Sequence, residues 1–185
     1  EYHELCKILA EIKATDEPHH AKNKQILLSQ LKKYRIPVIH IENRFKHTAG
    51  VWRKLRVQNL HLEQVYDLFA FRVVVPSISD CYSALGAVHE VFPPVVGKFK
   101  DYIASPKANG YQSLHTCLMP ESGRIFEAQF RTAAMHEQAE GVSAVHSHWR
   151  YKLKQASLFP RPSRWLRRIR AWVRRRLHRA VQPDR

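Results

Sequence analysis

The chain has 185 residues, 44% of them hydrophobic, and a formal net charge of +15. That length suits one domain with helical flanks and a proper core, and no apolar run approaches the roughly 20 residues a membrane span needs. Ten Arg and one Asp fall between residues 160 and 185, so the charge splits into a strongly basic tail and a moderately basic body suited to polyphosphates.

Three cysteines, Cys6, Cys81 and Cys117, are odd in number and lack zinc-ligand spacing. With no signal peptide in view, a cytoplasmic protein is expected. In chain order, Leu5, Ile8, Leu9 and Ile12 share one face and predict a helix over Tyr2–Lys13. Pro18 predicts a break over Ala14–His19, followed by a helix over 21–34. A short strand is expected at Pro37–Ile41 and a helix at Arg44–Arg56. The β-rich run Leu68–Val75 reads as a strand. A helix over Ser79–Val91 is stopped by Pro93 and Pro94. The segment to Pro106 reads as loop with a short strand near Tyr102. Ser113–Met119 and Arg124–Arg131 form an expected hairpin across Pro120–Gly123. A final helix is expected over Thr132–Tyr151, broken near Gly141. This order predicts an α+β fold: a mixed, mostly antiparallel sheet flanked by helices.

The run Lys107-Ala-Asn-Gly-Tyr-Gln-Ser-Leu-His115 places a cation, an amide, an aromatic ring and an imidazole around Gly110. An aromatic ring stacks on bases, an amide pairs with base edges, and Lys or His holds phosphates. By itself the run also reads as a polar turn before a hairpin. In a strand, Glu127, Gln129 and Arg131 share one face, while Phe126, Ala128 and Phe130 share the other. Asp67, before the strand at 68–75, reads as a turn residue. Paired in space with Glu127, it also reads as a Mg²⁺ ligand on a polyphosphate.

Several stretches together resemble one family. They are Asp67-Leu-Phe-Ala-Phe-Arg72, Tyr82–His89, Gly97–His115, Glu127-Ala-Gln-Phe-Arg-Thr132, Met135-His136 and His148-Trp-Arg-Tyr-Lys152. In that order they resemble the synthetase domain of the RelA/SpoT alarmone enzymes, over about residues 40–155. The resemblance implies a nucleotidyltransferase-like domain that moves pyrophosphate from ATP to the 3′-hydroxyl of GDP or GTP in the stringent response. With the helical patterns read at either end, it divides the chain into a helical segment at 1–35, a catalytic domain at 36–155 and a basic amphipathic helix at 156–185.

The same resemblance assigns roles. Arg44 and Arg72 would sandwich the adenine of ATP, with Lys46 and Lys54 on its phosphates. Tyr111 would stack on the guanine of GDP or GTP, with Asn109 nearby. Lys100, Lys107 and His115 would neutralise the acceptor's 5′-phosphates, and Gln129 and Arg131 would complete the polar floor. Asp67 and Glu127 would flank the transferred group as catalytic residues and hold Mg²⁺. Glu127 either shares the metal or deprotonates the attacking hydroxyl. Gly50 and Ala49 depart from the family's usual serine and aromatic residue, and the link from Gly141 to Trp149 is slightly longer.

Lys98-Phe-Lys100-Asp101 resembles the basic version found in bifunctional relatives. None of the twelve His is followed by Asp, and the segment before Ile36 is too short for a His-Asp domain. Synthesis without hydrolysis is therefore expected. In the tail, Trp165, Ile169, Trp172, Val173 and Leu177 form one helical stripe, which suits a packed linker, RNA or ribosome contact, or an anionic surface. A homo-oligomer stays open. Two rivals are a toxin-like enzyme acting on the 3′ end of tRNA and a silent nucleotide-binding domain.

Overall fold

The computed structural model describes residues 1–145, with side chains through Gly141. The expected tail helix and the motif His148–Lys152 lie outside the described residues. The elements are α1 (Tyr2–Lys33), β1 (His40–Phe45), α2 (Thr48–Val57), β2 (Phe69–Val75), α3 (Ile78–His89), β3 (Lys100–Asp101), β4 (Leu114–Leu118), β5 (Phe126–Thr132) and α4 (Ala133–Val145). Glu1–Pro18 and Lys46–Val65 belong to one compact unit; His19–Phe45 and residues 66–145 belong to the other.

The expected break at Pro18 does not occur: α1 runs through it. An interior proline costs about 3 kcal/mol in helix propensity. Leu5, Ile8, Leu9 and Ile12 before it are buried, as are Leu27 and Leu31 after it. Each such side chain contributes about 1.5–3 kcal/mol on burial, so packing outweighs the local penalty. Pro18 instead marks where the division between compact units falls. In the first unit, Val51 and Leu55 of α2 are buried, Tyr2 meets Trp52 edge to face, and Arg56 donates to Glu1 at 2.8 Å.

The second unit carries a five-stranded sheet in the order β1-β2-β5-β4-β3. Only β2 and β5 are parallel; the other three pairings are antiparallel. This is the expected mixed, mostly antiparallel sheet. Alternation sends Phe69, Phe71, Val73 and Val75 of β2 and Phe126, Ala128 and Phe130 of β5 into one core, joined by Leu27, Leu31, Cys81, Ala84 and Val88. Phe71 and Phe92 each meet Phe126 edge to face at 5.1 and 5.2 Å, the favoured aromatic geometry.

Three expectations shift at the element ends. The first strand lies at His40–Phe45 rather than 37–41, because Ile41 and Phe45 pack against the core at the strand period. Arg44 therefore sits on a strand, Lys46 precedes α2, and Lys54 lies within α2. The helix expected from Arg44 begins only at Thr48. α3 begins at Ile78 because Ser77 and Asp80 form a reciprocal cap, with Asp80 N–H donating to Ser77 Oγ at 3.1 Å. α4 continues through Gly141 without the expected break.

The expected hairpin of β4 and β5 forms. Gly123 closes its turn with φ +67° and an N–H bond to Pro120 O at 2.8 Å.

Candidate active site

The sheet's second face is polar. Register places Glu42 opposite Arg72, Arg72 opposite Gln129, Gln129 opposite His115, and His115 opposite Lys100. One row of polar side chains thus crosses all five strands. An adjoining row holds Arg44, Ala70, Glu127 and Cys117. Arg131 lies one step further along β5, opposite Val74. Seven expected site residues share this face: Arg44, Arg72, Lys100, His115, Glu127, Gln129 and Arg131.

At its centre stands Glu127. Its Oε1 faces His115 Nδ1 at 3.0 Å, and its Oε2 accepts from Gln129 Nε2. Burial by itself pushes this carboxyl up. The hydrogen bond and charge of His115 and the bond from Gln129 outweigh it, and Glu127 is held below the ordinary carboxylate range. The charge of Asp67 opposes that shift, which places Asp67 within electrostatic reach of Glu127. His115 Nε2 lies 2.8 Å from Tyr111 Oη.

The loop between β3 and β4 carries the rest. Lys107 N–H donates to Tyr111 O at 3.2 Å, and Gly110 N–H donates to Lys107 O at 2.8 Å. Asn109 Oδ1 accepts from Tyr111 N–H at 3.2 Å, an Asx turn. The Lys107 ammonium lies 4.3 Å from the Tyr102 ring centre and 5.0 Å from that of Tyr111, within cation–π range. Lys107, Asn109 and Tyr111 are thereby brought to the edge of the polar face.

Gly110 has φ +77°, and a Cβ there would come within 2.9 Å of Gln138 Nε2 on α4. The amide end can move, but the left-handed backbone costs a side chain about 1–2 kcal/mol. Gly110→Ala is expected to destabilise the protein by that amount in denaturant unfolding and to raise the acceptor KM by loosening Tyr111. Unchanged values for both would show that the turn is not required.

Arg72 is held along the edge of its guanidinium. Its Nη1 donates to Glu42 at 3.2 Å and to Glu140 of α4 at 2.9 Å. His136 Nε2 approaches Glu42 at 3.7 Å. Burial pushes Glu42 up, but the bond and charge of Arg72 hold it below its ordinary value overall. Neither Glu42 nor Glu140 stood out in the sequence. Glu42 is legible only through the β1–β2 register, and Glu140 only once α4 is placed.

Arg131 is 1% exposed, yet its Nε and Nη1 have no hydrogen-bond partner among the described residues. Only Nη2 donates, to Gln129 Oε1 at 3.4 Å. Each unsatisfied buried donor costs about 1–3 kcal/mol, so this guanidinium is suited to an incoming anion.

Cys117 lies on the same face. Burial, then the charges of Glu127 and Asp67, push its thiol up to about 12; burial does the same for Cys81, also to about 12. Both are expected to resist iodoacetamide in the native protein and to react on unfolding, as mass spectrometry would show. Rapid native labelling of Cys117 would contradict the placement of two carboxylates beside it.

Residues 43–156 match the family described as the region found in RelA / SpoT proteins. This chain belongs to the RelA/SpoT family. It is 36% identical over 176 residues to a GTP pyrophosphokinase of Haemophilus influenzae, covering 93% of this chain and 23% of that protein. It is 46% identical over 123 residues to an Aquifex aeolicus protein named guanosine-3′,5′-bis(diphosphate) 3′-pyrophosphohydrolase, covering 66% of this chain and 17% of that one. The chain therefore spans about a quarter or less of the length of these relatives. Among solved structures, the small alarmone synthetase 1 of Bacillus subtilis with its product pppGpp matches with a TM-score of 0.52 at 23% identity, covering 75% of this chain and 73% of that one. That likeness extends the RelA/SpoT assignment to the fold. Every element of the polar face lies within or at the edge of the matched family region. Lys46 and Lys54 lie in the first compact unit. No described helix is long and apolar enough to cross a membrane.

Proposed function

We propose that this chain is a (p)ppGpp synthetase domain, which transfers pyrophosphate from ATP to the 3′-hydroxyl of GDP or GTP. What carries the reading is the meeting of Glu127, His115 and Tyr111 on one polar face of a RelA/SpoT-family sheet. Relatives named GTP pyrophosphokinase and a like-folded synthetase with bound pppGpp support it.

In this reading the Tyr111 ring stacks on guanine with Asn109 beside it. Lys100, Lys107 and the buried Arg131 receive the acceptor's phosphates, and Gln129 holds Glu127 in place. Glu127 takes the proton of the 3′-hydroxyl. The freed oxygen attacks the β-phosphorus of ATP, the bond from that phosphorus to the α–β bridging oxygen breaks, and AMP leaves. Catalysis here is mostly alignment and charge neutralisation. Arg44 and Arg72 face the adenine, and Lys46 and Lys54 take the phosphate-binding role of the ATP side.

The donor set fits Mg²⁺. Among the described residues no group of three or more His, Cys, Asp or Glu could hold a metal, whereas Asp67 and Glu127 supply hard carboxylate oxygens. Mg²⁺ commonly takes one or two carboxylates plus substrate phosphates. With Glu127 as the base, Mg²⁺ would be held by Asp67 and the substrate phosphates and would neutralise the polyphosphate of ATP.

The test is incubation of the protein with labelled ATP and, separately, GDP, GTP and deacylated tRNA. Labelled ppGpp or pppGpp with stoichiometric AMP is the expected result. Label at the tRNA 3′ end instead would favour the toxin-like reading, and nucleotide binding without transfer would favour the silent domain. Incubation with ppGpp is expected to release no pyrophosphate, because no His in the chain is followed by Asp.

A further inference from the structure

Resting on the synthetase reading, we propose that His115 is a positioning residue for Glu127, set by the Tyr111 hydroxyl, and is not itself a phosphate ligand. The guanine-stacking tyrosine and the base that activates the acceptor then form one hydrogen-bonded unit.

Both ring nitrogens of His115 are engaged by the protein: Nδ1 by Glu127 Oε1 at 3.0 Å and Nε2 by Tyr111 Oη at 2.8 Å. An ionised carboxylate only accepts hydrogen bonds, so Nδ1 must carry the proton. Nε2 then accepts from the Tyr111 hydroxyl in a neutral ring, or donates to it in a charged one. In either state neither nitrogen is left to donate to a phosphate. Tyr102 and Tyr111 meet the imidazole edge to face, with ring centres 5.4 and 5.8 Å away. The His115 and Glu127 side chains are only 12% and 14% exposed, so water competes weakly for these bonds.

A carboxylate with free rotation about its last bonds would present either oxygen to the hydroxyl. Here Oε1 is committed to His115 and Oε2 to Gln129, and the plane of the group is fixed. Each oxygen keeps a lone pair for the incoming proton. Tyr111 reaches this system from the loop that also forms the base-stacking platform. A misplaced guanine therefore disturbs the base through two hydrogen bonds, which links acceptor recognition to turnover. Outer partners of this kind, when removed, cost about 10–100-fold in activity.

Asparagine and glutamine separate this role from phosphate binding. The amide of His115→Asn sits near the Nδ1 position and can still donate to Glu127; that of His115→Gln sits near Nε2 and cannot. The expected result is a fall in kcat of about 10–100-fold for His115→Ala and His115→Gln. His115→Asn should recover most of that loss, and the KM for GDP should change little in all three. Tyr111→Phe keeps the ring and should lower kcat with little change in the KM for GDP. A large rise in KM for GDP in both amide variants, with kcat preserved, would overturn the proposal in favour of a phosphate ligand.

A second readout does not depend on activity. In ¹⁵N-edited spectra of the imidazole, the wild-type protein should show Nδ1 protonated, and Tyr111→Phe, which removes only the partner of Nε2, should shift the Nε2 resonance while Nδ1 stays protonated. A wild-type ring protonated at Nε2 alone would overturn the proposal. Absence of any transfer by the wild-type protein would instead overturn the synthetase reading, and the spectrum would then decide on the Glu127–His115–Tyr111 unit by itself.

Discussion

Glu127→Gln is expected to lower the turnover of pyrophosphate transfer by about 10²–10⁴-fold, the range for loss of a positioned general base. Binding of both nucleotides should persist. The substitution keeps volume and planarity but exchanges an acceptor oxygen for an amide donor. One of the two present partners, His115 Nδ1 or Gln129 Nε2, would then meet a donor instead of an acceptor; a flip of the Gln129 amide relieves it by presenting Oε1, at the expense of the bond that Oε1 accepts from Arg131. The fold should survive, because the apolar side of β5, with Phe126, Ala128 and Phe130 fully buried, is untouched. Calorimetric titration with GDP and a non-hydrolysable ATP analogue would check binding, and single-turnover kinetics would check chemistry. Turnover near the wild-type rate would show that Glu127 is structural and would return the base to another group.

Tyr111→Ala is expected to raise the KM for GDP or GTP by about 5–150-fold, the equivalent of the roughly 1–3 kcal/mol that stacking one base contributes. The KM for ATP should change little. The ring is half-buried, lies edge to face with Tyr102 at 6.1 Å, and has the Lys107 ammonium near its face. Loss of the ring therefore also releases Lys107 from one of its two aromatic neighbours. Because the hydroxyl leaves with the ring, kcat should fall too, and Tyr111→Phe separates the two losses. Equal rises in KM for donor and acceptor would remove Tyr111 from the guanine site.

Much of the fold is encoded locally. Alternation over 126–132 placed Phe126, Ala128 and Phe130 on the core face and Glu127, Gln129 and Arg131 on the opposite one, as the sheet has them. The i, i+3, i+4 spacing of Leu5, Ile8, Leu9 and Ile12 marked a helix, and the turn chemistry of Pro120–Gly123 marked the hairpin. Local rules failed at Pro18 and Gly141, where a breaker lies inside a helix, and over 42–45, where a strand continues past its expected end. Propensity is a matter of one to three kcal/mol per residue at most, and the burial of neighbouring side chains is about as large or larger.

The family, the sheet's composition and most residues of the polar face were legible in the order of residues along the chain, because each motif is a short run. The partners of those residues were not. Glu42 meets Arg72 thirty positions later, and Glu140 reaches the same guanidinium across 68 positions. Both follow from strand register and from where α4 lies, and register is fixed by which faces bury their apolar side chains. The family resemblance assigned His115 to the acceptor's phosphates, and no local pattern named its protein partners. Only folding places Glu127 on one nitrogen and Tyr111 on the other, since β4 must pair with β5 before a residue twelve positions away becomes a neighbour.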